Sequence, residues 1–199
     1  MKSTPSKGRP RSLTAEAAIL QATLKLLDSN EIRDVSYEAI AKLAGVGKAT
    51  LYRWWPTKSF LILDAISSRV QAAQPIPDTG SALMDFKINL KALTALYKAP
   101  ETGPLLVQLW GECLLNKSFR QVFRDRFFDL RRGALRIIWE RGVNRGEIRS
   151  DVDFQLFMDL IYGPLIMRLM MDHAPLDDGV AERTVSVVFR GLATDGSGD

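Results

Sequence analysis

The sequence has little of the chemistry that enzymes and metal sites commonly use. It contains one cysteine, Cys113, and one histidine, His173, among 199 residues. One cysteine excludes an internal disulfide, and the two residues together are too few for a Cys/His zinc cluster or for most Ser-His and Cys-His catalysis. A glycine-rich phosphate loop and a Glu-x-x-His motif are also missing. We therefore expect no catalytic residue, no metal and no cofactor.

Long apolar runs are missing too. The longest stretch without a charged residue, from Thr102 to Gly111, has ten residues, whereas a membrane-spanning helix needs roughly 20 apolar residues. The first dozen residues are polar and basic and lack the apolar centre of a secretory signal. With 46% hydrophobic and 25% charged residues, the chain can bury a core. These features predict a soluble, cytoplasmic protein without a membrane partner.

Charge is distributed unevenly along the chain. Residues 1–60 contain 10 Lys and Arg against 5 Asp and Glu, whereas residues 61–199 contain 17 against 18. This asymmetry predicts that the N-terminal part binds a polyanion. Residues 1–12 form a predicted basic disordered arm that includes Arg9 and Arg11. The arm is either a solvated tail or a segment that binds DNA along the phosphates or in a minor groove.

Apolar residues recur at helical spacing, and no alternating strand pattern occurs, so an all-α fold is predicted. We expect the first helix to be capped by Thr14 and to end near Asn30. Further helices are expected over 36–45, 48–55, 57–73, 81–98, 104–115, 118–143, 153–172 and 178–193. The predicted domains are an N-terminal helical domain at 13–74 and a C-terminal all-helical domain at 81–193, followed by a disordered tail at 194–199.

Residues 36 to 55 have the pattern of a helix-turn-helix, in which Ser36 caps the first helix and Gly45 ends it. Helical periodicity divides the second helix into two faces. The apolar face, expected to pack on Ile40 and Leu43, consists of Val46, Leu51 and Trp55. The opposite face suits a DNA major groove because it is small, basic and aromatic. It consists of Lys48, Ala49, Tyr52 and Arg53.

Two lysines lie in the first turn of a predicted helix, Lys48 and Lys58. The helix dipole disfavours a cation there by roughly 0.3 to 1 kcal/mol. An unopposed ammonium at a helix start would form an anion site for a DNA phosphate. The alternative is that both side chains extend into water.

The segment from Val35 to Leu61 closely resembles the DNA-binding signature of the TetR family of bacterial transcriptional regulators. The matching positions are Ile40-Ala41, Ala44-Gly45-Val46, Thr50-Leu51-Tyr52, Trp55 and Lys58. The resemblance implies a three-helix DNA-binding domain whose third helix lies in the major groove. It also implies an all-helical C-terminal domain that dimerises, and a small-molecule ligand that weakens operator binding. The function expected from it is that of a ligand-responsive repressor of a palindromic operator.

The resemblance also implies roles for individual residues. Lys48, Ala49 and Arg53 would face base edges. The phosphate-facing positions would be Ser36, Gly47, Thr50, Tyr52, Trp54 and Lys58. Many family members have Ser or Thr where this chain has Gly47, so only backbone N–H groups remain there. Trp55 is expected in the core, whereas Trp54 is ambiguous between core and phosphate contact.

In the family, the last two helices pair with their symmetry mates in a four-helix bundle. The predicted dimer residues here are Phe154, Phe157, Ile161, Leu165, Thr184, Val187 and Val188. The alternative is that these side chains form only the core of one chain. A dimer is favoured because a single domain reads only half of a palindrome.

A pocket for a small hydrophobic or amphipathic effector is expected among the middle helices. The candidate lining residues are Gln108, Trp110, Cys113, Phe127, Trp139, Met158 and Tyr162. Each of them is also compatible with ordinary core or surface. Cys113 is a weaker candidate for a redox sensor, because the chain has no resolving cysteine.

Two other classes of function stay open at this point. One is a helical module that binds a ligand or a partner without recognising DNA. The other is an enzyme built on a helical bundle, for which the sequence offers little material. The operator, the effector and the direction of regulation do not follow from the sequence.

Overall fold

The computed structural model describes residues 12–192 of the chain. That range is helical without any strand, which confirms the predicted all-α class. Apart from Ser12, the predicted arm with Arg9 and Arg11 lies outside it, as does the predicted tail at 194–199. The helices are α1 (Leu13–Leu27), α2 (Tyr37–Ala44), α3 (Lys48–Trp54), α4 (Lys58–Ala73), α5 (Ala82–Lys98), α6 (Gly103–Leu115), α7 (Lys117–Phe123), α8 (Asp129–Asn144), α9 (Phe154–Met171) and α10 (Asp178–Leu192).

The chain divides into two compact units, Met1–Ala65 and Ile66–Asp199. The division falls inside α4 and not at the predicted break of residues 74–80. The second half of α4 belongs with the later helices because its side chains are anchored among them. Arg69 Nη1 donates a 2.9 Å hydrogen bond to the carbonyl oxygen of Glu101, and Val70 is buried.

In the N-terminal unit, α1 to α3 and the first part of α4 enclose a small apolar core. Its fully buried side chains include Ile19, Ile40, Leu51, Trp55 and Leu61. The prediction that Leu43 belongs to this core was wrong, since 45% of its surface is exposed. The buried stripe of α2 runs through Tyr37, Ile40 and Ala41, and Leu43 lies beside that stripe.

Capping residues set the bounds of the first two helices. Ser12, not Thr14, caps α1 by accepting a hydrogen bond from the N–H of Ala15. The helix therefore starts and ends earlier than expected, and the Asn30 side chain donates back to the Leu26 carbonyl at 2.8 Å. The two predictions for α2 are confirmed. Ser36 accepts from the N–H of Ala39, and Gly45 ends the helix at φ 66°, a conformation that favours glycine.

The C-terminal unit is built around α5, which packs against α6, α8, α9 and α10. An aromatic cluster lies at its centre. The ring of Phe86 is 5.0 Å from that of Phe157 and 6.2 Å from that of Phe189, between centroids. All three side chains are buried. Such clusters contribute to stability beyond the area that they bury.

The single long helix predicted over 118–143 is interrupted. A π-helical segment, Arg124–Phe128, separates α7 from α8. A π turn contains more residues than an α turn, so it changes which side chains face inward. Phe119, Phe123 and Phe127 form a continuous ladder through this region, with centroid separations of 6.4 and 5.1 Å. The segment thereby supplies aromatic side chains to the interior.

Helix α9 is apolar on nearly all sides. By length and composition alone it could cross a membrane, because its mean hydropathy is 1.3 over 18 residues. It nevertheless carries Asp159 and Arg168, and one of its stripes lies in the core of the unit. The remaining apolar surface of α9 is exposed, which is relevant to assembly below.

Candidate nucleic-acid interface and ligand cavity

Helix α3 presents one buried and one exposed face. Leu51 is fully buried, and so is Trp55 immediately after the helix, whereas Tyr52 is 51% exposed. Lys48, Ala49 and Arg53 are also exposed. The structure therefore exposes the four side chains that the sequence placed on the outer face of α3. Their contact with DNA remains a prediction.

Two hydrogen bonds hold the end of α3 in place. The Tyr37 hydroxyl donates to the backbone carbonyl of Trp55 at 2.7 Å. The indole Nε1 of Trp55 donates to Asp64 Oδ2 at 2.7 Å. Burial, with a smaller effect of Tyr52, raises the pKa of Tyr37 to about 12, so its phenol stays protonated and can donate. Helix α3 is thus attached to both α2 and α4 within the N-terminal unit.

Aromatic rings support the exposed cations. The Tyr52 ring packs edge-on against Tyr37 at 4.7 Å, and Lys48 Nζ lies 5.6 Å from the centre of the Tyr52 ring. Arg53 Cζ lies 6.0 Å from the half-buried Trp54 ring. A cation near an aromatic face is attracted by the ring quadrupole. These contacts favour an ordered basic and aromatic surface.

The prediction of unopposed ammonium groups was wrong for both lysines. Lys48 forms an ion pair with the carboxylate of Glu38. Lys58 Nζ lies 2.6, 3.3 and 3.0 Å from the carbonyl oxygens of Ile32, Arg33 and Val35. These three acceptors can take all three ammonium hydrogens. The partners lie on other elements, in α2 and around a 3-10 turn, so helical position alone did not reveal them.

The other phosphate-facing candidates surround the start of α3. Ser36 is half-buried and accepts the capping hydrogen bond from Ala39. Gly47 is exposed at the N-cap of α3, where no side chain makes a capping hydrogen bond. Thr50 is half-buried in the first turn of the helix. The start of α3 therefore offers backbone groups and short side chains to a ligand.

The C-terminal unit encloses a largely apolar cavity of about 480 Å³. Five predicted residues line it: Trp110, Cys113, Phe127, Met158 and Tyr162. The predictions for Gln108 and Trp139 were wrong. Gln108 is exposed on α6, and Trp139 packs edge-on against Phe154 at 5.5 Å. Helical periodicity located the right helices but not which side of each faces the cavity.

Sequence reasoning missed a charged group of the cavity lining, Arg131 on α8. Its Nε and Nη2 atoms are buried, and neither has a hydrogen-bond partner among residues 12–192. Burial lowers the pKa of the guanidinium, against the opposing influence of Tyr162 and Tyr97. No simple signal in the sequence marks Arg131, because the adjacent Arg132 looks equivalent.

Two phenols accompany Arg131. Burial raises the pKa of Tyr97 and of Tyr162, although Arg131 acts to lower both, so neither phenol ionises at neutral pH. The Tyr162 hydroxyl donates to Asn89 Oδ1 at 2.7 Å, and Asn89 Nδ2 donates to the Pro75 carbonyl at 2.8 Å. This hydrogen-bond chain holds Tyr162 in position.

The thiol of Cys113 is a poor candidate for a redox sensor. Burial raises its pKa, and Glu112 adds to the effect while Arg120 opposes it. Reactive cysteines depend on a lowered pKa, because the thiolate is the reactive form. Cys113 is therefore better described as part of the cavity lining.

The predicted dimer residues divide into two sets. Phe154, Phe157, Ile161 and Leu165 are buried within the chain, so their assignment to a partner interface was wrong. Thr184 and Val188 are half-buried, and Val187 is 58% exposed. The exposed apolar residues of α9 are Leu156, Leu160, Met167, Met170 and Met171. Since α9 is apolar all round, its sequence did not show which stripe faces inward.

Among residues 12–192, no group of three or more His, Cys, Asp or Glu side chains is placed to hold a metal ion.

Comparisons with known proteins agree with this geometry. Residues 19–65 match the family model described as bacterial regulatory proteins, tetR family. Residues 76–188 match the model described as tetracyclin repressor-like, C-terminal domain.

Similar proteins cover nearly the whole chain. The uncharacterized HTH-type transcriptional regulator YdeS of Bacillus subtilis (strain 168) is 33% identical over 186 residues, which are 94% of this chain and 93% of YdeS. The HTH-type transcriptional regulator AqdR of Rhodococcus erythropolis is 31% identical over 175 residues, 87% of this chain and 83% of AqdR. The crystal structure of the TetR family transcription regulator SCO0332 superposes with a TM-score of 0.84 at 29% identity, covering 90% of this chain and 99% of that one. The chain belongs to the TetR family and is a helix-turn-helix, DNA-binding transcriptional regulator.

Proposed function

We propose that this regulator is a cytoplasmic repressor that binds a palindromic operator as a homodimer and leaves it when a small effector fills the cavity. The proposal assigns no catalytic activity to the chain. The observation that carries it is the exposed basic and aromatic face of α3, which is attached to its unit by the hydrogen bonds of Tyr37 and Trp55.

The proposed DNA contacts follow from the exposed face. Lys48, Ala49 and Arg53 read base edges, and an arginine commonly contacts guanine through two hydrogen bonds. Lys48 changes partners on binding, because Glu38 holds it in the free protein. The proposed phosphate contacts are Ser36, the N–H groups near Gly47, Thr50, Tyr52, Trp54 and Lys58. Lys58 must release at least one of its three carbonyl acceptors to donate to a phosphate.

The proposed dimer interface lies on α9 and α10. The exposed side chains of Leu156, Leu160, Met167 and Val187 support it, because a soluble chain rarely leaves a continuous apolar surface uncovered. Two α3 helices spaced about 34 to 36 Å apart would reach successive major grooves of one duplex.

The cavity of about 480 Å³ supports the proposed effector site. Its size lies within the range of roughly 300 to 1,000 Å³ that is usual for small-molecule sites. Aromatic and aliphatic side chains make most of the lining, and a few polar groups interrupt it. Such a lining favours a hydrophobic or amphipathic molecule.

Selection of bound duplexes from a random DNA pool, followed by mobility-shift titration, tests the proposal. We expect a two-fold symmetric site whose affinity falls about 10³- to 10⁵-fold between 50 and 200 mM salt if six to ten phosphates are contacted. Arg53→Ala should reduce discrimination between the selected site and its single-base variants. Arg33→Ala, which changes an exposed arginine outside α3, should leave discrimination unchanged. No selection of any duplex would instead favour a helical ligand- or partner-binding module without DNA recognition.

A further inference from the structure

The cavity lining contains a half-buried cation, Arg131. Within the described residues, Arg131 has no acidic partner, and its Nε and Nη2 atoms are both sealed from solvent. The other two arginines of the lining are engaged. Arg132 pairs with Asp159, and Arg120 donates to the carbonyl oxygens of Cys113 and Leu114 at 2.6 and 3.0 Å.

The two free donors of Arg131 form one edge of the guanidinium. Nε–H and the adjacent Nη2–H point in parallel, and this fork matches the two oxygens of a carboxylate, sulfonate or phosphate. A buried charge is costly unless it is paired and hydrogen-bonded. The free protein therefore keeps an uncompensated charge beside the cavity, and the side chains that cover the Nε/Nη2 edge must move aside for an anion to reach it.

Within the cavity lining, no unpaired acidic side chain competes with a bound anion for Arg131. Asp159, already paired with Arg132, is the acidic residue of the lining, against three arginines. The nearby phenols of Tyr97 and Tyr162 are kept protonated by burial and add no negative charge. The electrostatic balance of the cavity is positive, while its walls are apolar and aromatic.

We propose that the molecule bound in this cavity is an organic anion, whose acidic headgroup pairs with the Nε/Nη2 edge of Arg131 and whose apolar body lies against the aromatic lining. This inference rests on the proposed function, which assigns the cavity to the effector. It specifies that the ligand is negatively charged and that Arg131 selects it. A neutral molecule of the same shape leaves the two buried N–H groups unsatisfied and binds less tightly.

Two fluorescent probes with the same aromatic skeleton test the inference on the full chain. 1-Anilinonaphthalene-8-sulfonate carries a sulfonate, and N-phenyl-1-naphthylamine lacks it. We expect Arg131→Met to weaken the sulfonate about tenfold or more relative to the amine, and Arg131→Lys to weaken it less. Arg124→Met is the matched control, because Arg124 is exposed on the π-helical segment and does not line the cavity. An unchanged ratio of the two dissociation constants in folded Arg131→Met would overturn the inference.

A second measurement needs no variant. 2-Naphthoate and 2-naphthamide, which differ in charge but little in shape, compete with N-phenyl-1-naphthylamine for the wild-type chain. We expect the carboxylate to displace the probe at about tenfold lower concentration than the amide. If the amide displaces the probe at an equal or lower concentration than the carboxylate, the ligand is not an anion, whatever result the Arg131 variants give.

Mobility shifts with the selected duplex separate this inference from the proposed function. If 2-naphthoate binds through Arg131 and also releases the duplex, the repressor proposal and the anionic ligand class are both supported. If the anion preference holds but the chain selects no duplex, the repressor proposal fails and the ligand class stands. If the duplex is bound but neither probe pair shows an anion preference, the ligand class fails and DNA recognition stands.

Discussion

The hydroxyl of Tyr37 donates a 2.7 Å hydrogen bond to the backbone carbonyl of Trp55. This bond joins the first residue of α2 to the residue immediately after α3. Both side chains are buried, and Tyr52, on the exposed face, packs against the same Tyr37 ring. The direction in which α3 presents its exposed face therefore depends on contacts in the core of the N-terminal unit.

Tyr37→Phe should destabilise the N-terminal unit. The substitution leaves the Trp55 carbonyl without its donor, which costs about 1–3 kcal/mol for a buried group. Chemical denaturation followed by circular dichroism measures the loss. Tyr52→Phe is the control, because 51% of Tyr52 is exposed, and it should change stability by less than about 0.5 kcal/mol. Equal losses in the two variants would show that the hydroxyl of Tyr37 is not responsible.

Lys58→Met should lower stability even without DNA. Three carbonyl oxygens, those of Ile32, Arg33 and Val35, lose their donor, and we expect a loss of about 1–3 kcal/mol. Lys48→Met removes only an exposed ion pair with Glu38, which is worth about 0–1 kcal/mol. Thermal denaturation of both variants distinguishes the two lysines. If Lys58→Met is as stable as wild type, its three carbonyl contacts contribute nothing measurable.

Charges on the exposed stripe of α9 and α10 should produce monomers. Leu160→Glu and Val187→Glu place a carboxylate within the proposed interface, where an unpaired charge is strongly unfavourable. Sedimentation velocity measures the assembly state. Ile137→Glu, at an exposed apolar residue of α8, should leave the dimer intact. Dimers that survive both substitutions would place the interface elsewhere.

Glu147 should make stability depend on pH. Burial acts to raise its pKa, but hydrogen bonds from Arg145, Ser81 and the N–H groups of Leu83 and Ala82 outweigh it and lower the pKa below the ordinary 4.5. The ionised form therefore stabilises the fold above pH 4.5, and this contribution is lost as the pH falls through the lowered value.

Glu147→Gln should accordingly be less stable than wild type at pH 7. We expect a loss of about 1 kcal/mol, because the Glu147 carboxylate accepts hydrogen bonds from the first turn of α5 as an N-cap side chain does. Urea denaturation between pH 7 and pH 3 should show this difference shrinking towards the acid end. A constant difference across the range would mean that the charge of Glu147 does not contribute.

Arg131→Met should stabilise the ligand-free protein. Met is an apolar side chain of similar length, and it removes the two buried N–H groups of this half-buried arginine that lack a partner, whose desolvation costs about 1–3 kcal/mol. Arg132→Met should have the opposite effect, because it breaks the pair with Asp159. Melting temperatures of the two variants without ligand check this contrast. A lower melting temperature for Arg131→Met would indicate that the guanidinium is already satisfied in the free protein.

Local signals in the sequence predicted several features well. Ser36, Gly45 and Trp55 depend mainly on near neighbours in the chain, because caps and helical faces are set within one or two turns. The resemblance around α3 led to the family for the same reason. These features together cover the fold class and the surface of α3.

Other features depend on contacts between residues far apart in the chain, and for these features the predictions from the sequence were wrong. Lys58 looked like a free cation, but carbonyl groups more than twenty residues earlier surround it. Leu165 and Met167 lie two residues apart on α9, yet one is buried and the other exposed. Hydrophobicity alone could not rank them, because both sides of the helix are apolar.

The sequence by itself determined most of the helices, the caps of α2 and the chemistry of the exposed face of α3, since each of these follows from short-range periodicity and hydrogen bonding. Only the tertiary structure decided which apolar stripe of α9 is buried and which groups pair with Lys48 and Lys58. It also decided that Arg131 lies in the cavity lining without an acidic partner among the described residues. Those outcomes depend on how distant helices pack, and burial changes the energy of a charge far more than its position along a helix does.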